Sequence, residues 1–122
     1  MIPNVAALED IIKDLSREDA GIIVEGKRDV SALTGLGVSK KMILEAAQVT
    51  YSTLESRIRD KGYHKLVPLF DNDRTGEKRL AGFMSYFSGG SITIDGSYSR
   101  RTKRAGLACI EEIDDILERH RD

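Results

Sequence analysis

The sequence predicts an α/β fold of about four mainly parallel strands, flanked by helices on both faces in three layers. Three observations predict it. Two short runs rich in β-branched residues, Gly21-Ile22-Ile23-Val24 and Leu66-Val67-Pro68-Leu69-Phe70, have the length and composition of buried strands. Stretches of helical periodicity separate them, and strands that alternate with helices pair in parallel through crossovers. Both runs end on an acid, Glu25 and Asp71, and chemical groups in such sheets gather at the carboxyl ends of the strands.

Taken in order, Val5, Leu8, Ile12 and Leu15 recur at intervals of three and four, so residues 4–17 read as an amphipathic helix. The first strand follows at 21–24. Residues 27–34 read as a helix ended by Gly35 and Gly37. Residues 40–47 read as a short helix, with a brief strand near 47–50. Ser52-Thr53-Leu54-Glu55 fits a capping box, which starts a helix running to about Lys61 and closed by Gly62. The second apolar run holds Pro68, and a proline in a central strand requires a bulge or a position whose N–H has no partner. Leu80, Phe83, Met84 and Phe87 form the inward stripe of a helix from about Thr75 to Phe87. Gly89-Gly90 ends it and Ser91-Ile92-Thr93-Ile94 reads as a strand. Leu107, Ile110, Ile113 and Leu117 mark a last helix over about 106–119.

A chain of 122 residues fits one domain spanning 1–122, with its core in about 20–95. Apolar residues at 40% and charged residues at 32% indicate a globular chain rather than a disordered one. There is no apolar run near the length of a membrane span, and Met1-Ile2-Pro3-Asn4 lacks the basic and apolar regions of a signal peptide, so none is expected. Cys109 is the only cysteine, so no intrachain disulfide forms and a reduced, cytoplasmic setting is expected. The net charge of −1 conceals an uneven distribution: residues 74–104 carry seven basic side chains against two acidic ones, while the segments on either side are net acidic. Positive charge after an acidic motif suits an approaching phosphate backbone, although a solvated charged face has the same composition.

Asp71-Asn72-Asp73 sets two carboxylates two residues apart at the end of a predicted strand, where they project the same way. Hard oxygen donors suit magnesium, which keeps some waters and shares substrate phosphate oxygens. The plainer role for Asp73 is capping the helix that follows. An EF-hand loop is excluded, because its twelfth position would be Gly82 instead of a glutamate. A haloacid-dehalogenase-type phosphatase, with Asp71 as nucleophile, needs a longer body after the motif. A receiver-type phosphoacceptor wants an acidic pair after the first strand, where Glu25-Gly26 supplies one acid. In the second motif, Glu25-Gly26-Lys27-Arg28-Asp29, Glu25 ends a strand and Gly26 lets the chain turn closely. Asp29 falls in the first helical turn, where the helix dipole favours negative charge.

Together IIVEGKRD at 22–29 and VPLFDNDRTGEK at 67–78 resemble the Toprim domain family. In that family an apolar strand ends in Glu-Gly, an Asp follows four residues after the Glu, and a later strand ends in Asp-x-Asp. The resemblance covers about 20–95, and the Asp-Arg-Thr-Gly string at 73–76 looks most like small stand-alone members and the Toprim part of ribosomal-RNA maturation nucleases. It implies a Toprim-like (Rossmann-like) parallel core, with magnesium, or manganese in its place, held by Asp71 and Asp73. Glu25 is implied as general acid/base and further ligand, and Asp29 as a secondary acidic position. These 122 residues hold no room for the separate tyrosine-bearing domain of a topoisomerase or the extra module of a primase, so neither activity is expected of them.

The leading expectation is therefore magnesium-dependent phosphodiester chemistry on RNA or DNA, as a nuclease in RNA processing or structure-selective cleavage, with Glu25, Asp71 and Asp73 as the catalytic set. Lys27, Arg28, Arg74, Arg100, Arg101, Lys103 and Arg104 are candidate phosphate contacts, and Tyr98 a candidate base-stacking residue. Two rivals stand beside it: a nucleic-acid-binding or adaptor module without catalysis, and an Asp71-based phosphatase or phosphoacceptor. His64 and His120 lie away from the acidic motifs. The apolar stripes of the first and last helices suit packing on the sheet or a homodimer contact, and an accessory protein would fit so small a unit.

Overall fold

The computed structural model describes residues 2–120. The chain runs through α1 (Val5–Leu15), β1 (Gly21–Val24), α2 (Lys27–Gly35), a 3-10 turn (Lys40–Met42), β2 (Ile43–Glu45), α3 (Tyr51–Lys61) and β3 (Lys65–Pro68). It continues through α4 (Arg74–Phe87), β4 (Thr93–Ile94), α5 (Ser97–Arg104), a second 3-10 turn (Ile110–Glu112) and α6 (Ile113–Arg119). The four strands form one sheet in the order β2-β1-β3-β4, and every pairing is parallel.

Strand alternation sorts the side chains into two cores. Ile22 and Val24 of β1, with Val67 and Leu69 around β3, pack against α1, α2, α5 and α6. Ile23, Leu66 and Phe70 face the other way, onto Leu54 and Ile58 of α3 and Phe83 and Phe87 of α4. Buried on both faces, the central strands read as continuous apolar runs. The first core draws heavily on α1, α5 and α6, so segments outside 20–95 supply much of one face. No helix among the described residues is long and apolar enough to cross a membrane.

The topology reverses at β1. From β1 the chain crosses by α2 to β2 on one side, then returns by α3 to β3 on the other, with α2 and α3 on opposite faces. Crossovers of one hand require this change of face when the direction of travel reverses. The carboxyl ends of β1 and β3 therefore flank a topological switch point, where a crevice opens.

Several boundaries differ from the sequence expectation. Residues 40–47 are not a helix: a 3-10 turn leads directly into β2 at Ile43–Glu45, and 47–50 is loop rather than strand. The loop is fastened to β1, with Ala46 N–H donating to Val24 O at 2.8 Å and Ala47 N–H to Glu25 O at 2.9 Å. Helix α3 starts one residue before Ser52, because Thr50 is its cap and accepts from Thr53 N at 3.1 Å. Strand β4 is shorter than 91–94. The last helix begins at Ile113, since residues 105–109 form a loop that returns to the Asp71 region. The largest difference is α5 at Ser97–Arg104, a stretch in which the sequence expectation places no element between the strand at 91–94 and the last helix.

Pro68 lies within β3 without a bulge and pairs in register with Ile23. Leu69 N–H donates to Ile23 O at 2.7 Å, so the alternation turns the Pro68 nitrogen toward β4. Strand β4 ends at Ile94, and the missing N–H costs no ladder bond.

Candidate metal and nucleic-acid site

Glu25 follows β1 directly, and Asp71 follows β3 after Leu69 and Phe70, so both acids stand at the switch-point edge. Asp73 caps α4, its Oδ1 accepting from Gly76 N at 2.7 Å. Gly76 is what lets that first turn lie so close: a Cβ there would fall 1.9 Å from the Asp71 carbonyl oxygen. The glycine in Asp-Arg-Thr-Gly thus holds α4 against the backbone of Asp71. Asp71 Oδ1 accepts from Ile110 N at 2.9 Å. Between the two acids, Asn72 ties down the 105–109 loop, its Nδ2 donating to Leu107 O at 2.6 Å and to Thr102 Oγ1 at 3.2 Å.

The result is a convergence of Asp71, Asp73 and Cys109, whose ligand-type atoms lie within 4.8 Å of one another. Glu25 is not in that group. It adjoins from the side, where Glu25, Asp29, Asp71 and Glu111 line one cleft with Lys27 and Arg28. Arg79 from α4 reaches across and holds Glu25, Nε to Oε2 at 3.0 Å.

Asp29 takes its expected place in the first turn of α2, and it also lines the cleft with Glu25 and Asp71. It is 6% exposed, and its Oδ2 accepts from Gly26 N at 3.1 Å as the third residue of α2. Burial raises its pKa above the ordinary aspartate value, and repulsion from Asp71 and Glu111 adds to the rise.

The donor set fits a hard divalent cation. Asp71 and Asp73 each commit one oxygen to a backbone N–H and keep a second for a metal, and magnesium completes its shell with waters and substrate oxygens. Cys109 is the foreign element. Burial, with the negative charge of Asp71 and Glu112 beside it, pushes its thiol up to about 11. A protonated thiol is no magnesium ligand.

The basic residues divide. Lys27, Arg74, Arg100 and Arg104 are exposed, and no salt bridge joins them to an acid among the described residues. Arg101 is tied down by Asp14 at 2.9 Å and lies 5.3 Å over the Tyr98 ring, which fastens α5 to α1. Lys103 pairs with Glu77 at 3.2 Å, and Arg28 stands 3.9 Å from Glu111. Tyr98 is not available to stack on a base. It is 4% exposed, and its hydroxyl donates to Glu18 at 2.6 Å.

Sequence reasoning missed three participants. Arg79 had a local signal, as it lies between one and two turns into the helix that Asp73 caps. Gly76 sat in the quoted motif without a stated role. Cys109 and its loop reach Asp71 only through long-range hydrogen bonds, including Asn72 N–H to Ala108 O at 2.8 Å.

No protein-family model matches the chain. A solved structure of a protein from Aquifex aeolicus has the same fold, with a TM-score of 0.79 and 25% identity, covering 86% of this chain and 96% of that one. The chain is 31% identical over 117 residues to a UPF0292 protein of Pyrococcus abyssi, covering 93% of this chain and 83% of the relative. It is 30% identical over 113 residues to a UPF0292 protein of Thermococcus sibiricus, covering 93% and 87%. With an acidic crevice at the switch point of a parallel sheet, and relatives matched along nearly its whole length, this chain belongs to the UPF0292 family.

Proposed function

We propose that the protein carries out magnesium-dependent phosphodiester chemistry on nucleic acid, with nuclease action as the reaction, on a Toprim-like site. One observation carries the reading: Asp71 and Asp73 converge at the carboxyl edge of β3, in a crevice that also receives Glu25 and Asp29 from β1 and α2. Magnesium bound by Asp71 and Asp73, or manganese in its place, would polarise the phosphate and offset charge developing on its oxygens.

The protein's own groups do the rest. Ile110 N–H and Gly76 N–H each hold one oxygen of the paired carboxylates, fixing the direction of the other. Glu25 takes a proton from the attacking water or returns one to the leaving oxygen. Arg79 positions that carboxylate through its 3.0 Å contact. Exposed Lys27 and Arg74 beside the acids, and Arg100 and Arg104 on α5, meet backbone phosphates of RNA or DNA. Arg28 and Lys103 contribute after exchanging their acidic neighbours for phosphate. A cytoplasmic setting and a homodimer or accessory protein belong to the same reading.

The test is cleavage of labelled single-stranded and structured RNA and DNA, with magnesium, manganese or EDTA. Asp71→Asn, Asp73→Asn and Glu25→Gln variants run alongside. Metal-dependent cleavage lost in all three variants is expected, with metal binding retained in Glu25→Gln. A folded wild type that binds metal and nucleic acid but never cuts would turn the assignment to a binding module. Beryllofluoride captured at Asp71 would turn it to a phosphoacceptor.

A further inference from the structure

A second cavity opens on the same edge of the sheet, beside Arg79. Its walls are Ala46, Val49 and Thr50 from the loop after β2, Tyr51 at the start of α3, Phe70 after β3, and Arg79 itself. Two ties connect it to Glu25. Arg79 lines the cavity while its Nε holds Glu25 at 3.0 Å, and Ala47 of the loop donates its N–H to the Glu25 carbonyl at 2.9 Å.

The aromatic wall is built in rather than incidental. The Tyr51 ring lies 5.3 Å from Tyr86 and 6.3 Å edge-on from Phe87, centroid to centroid. Its hydroxyl passes where a side chain on Gly82 would stand, 2.7 Å from that Cβ position. The loop that closes the cavity turns at Gln48, whose φ of 63° is left-handed and unusual for a residue other than glycine. A fixed aromatic face, apolar neighbours and an arginine in the wall are what a nucleobase joined to a phosphate requires. The Arg79 guanidinium has donors beyond the Nε held by Glu25, and these can meet a phosphate.

We infer that this cavity is a nucleobase subsite, in which the base of the nucleotide next to the reacting phosphate packs beside Tyr51 while Arg79 links its phosphate to Glu25. The inference rests on the phosphodiester reading above, since that reading puts the phosphate at the acids.

The experiment is amide and methyl NMR of the wild-type protein titrated with adenosine 5′-monophosphate, ribose 5-phosphate or inorganic phosphate, all in EDTA. The nucleotide is expected to shift resonances of Ala46, Val49 and Tyr51, and the two base-free probes are not. A Val49→Glu variant, which puts a charge into the cavity wall, should weaken nucleotide binding at least tenfold while its remaining spectrum stays that of the folded wild type. Asp71→Asn should retain the binding. Nucleotide shifts absent from this loop, or equal for ribose 5-phosphate, overturn the subsite even if the protein proves to be a nuclease. Base-dependent shifts in a protein that never cleaves nucleic acid would instead retain the subsite and remove the nuclease reading.

Discussion

Replacing Gly76 by alanine tests the geometry on which the site depends. The added methyl would lie 1.9 Å from the Asp71 carbonyl oxygen, 2.6 Å from its carbon and 2.9 Å from its nitrogen. Ordinary carbon–oxygen contacts begin near ~3.3 Å, so helix α4 and the Asp71 backbone must part by roughly 1 Å or more. All three obstructing atoms are main chain, and no rotamer change relieves them. Forcing a group into such a space costs about 1–3 kcal/mol. Pulling Gly76 N–H away from Asp73 Oδ1, now at 2.7 Å, forfeits a helix cap worth about 1 kcal/mol. The expected total is about 2–4 kcal/mol, a fall in Tm on the order of 10 °C for a domain of this size. Urea and thermal unfolding measure it. The internal control is Gly35→Ala, where the new methyl meets nothing within 4 Å and the helix gains about 0.5–1 kcal/mol. A Gly76→Ala protein within ~0.5 kcal/mol of wild type, beyond the usual scatter for surface changes, would refute the close approach of α4 to Asp71.

Other expectations follow from the same geometry. Asp29 has a folded pKa above the ordinary 3.8, so its ionisation opposes folding. That cost is absent where Asp29 is protonated in both states, grows as pH climbs from about 3.8 to the folded pKa, and is complete above it. Stability of wild type relative to Asp29→Asn should therefore fall as pH rises above about 3.8 in urea unfolding; a pH-independent difference contradicts the burial argument. The Cys109 thiol, pushed up to about 11 from 9.0, should hold ~100-fold less thiolate near neutral pH than an unfolded cysteine and react correspondingly slowly. Alkylation rates with and without urea test this, and equal rates would place Cys109 outside the acidic cluster. For nucleic-acid binding, Arg100→Ala and Arg104→Ala should each lower the salt slope on duplex DNA by about 0.9. Arg101→Ala, which breaks the 2.9 Å contact to Asp14, should act mainly on stability; a reversed pattern in filter binding and unfolding would count against α5 as the contact surface.

Much of this protein was decided by local chemistry that the sequence displays. The apolar runs at 21–24 and 66–70 could be buried only as central parallel strands, and their terminal acids had to emerge at one edge. Asp73 and Thr75-Gly76 announce the start of a helix. The parity of Ile22, Ile23 and Val24 divides the core before any contact is known. Tertiary structure decided what depends on partners distant in the chain. Strand β2 is three residues long and owes its place to pairing with β1, which overrode the helical pattern of 40–47. Helix α5 is made almost wholly of polar and basic residues, and Tyr98 and Thr102 hold it only because Glu18 and Asn72 meet them. The same packing withdrew Tyr98 from solvent. The 105–109 loop brings Cys109 beside Asp71 through hydrogen bonds that span more than thirty residues. Such bonds have no period and no spacing to read: sequence shows which groups must hide or emerge, and only the closed fold selects which of them meet.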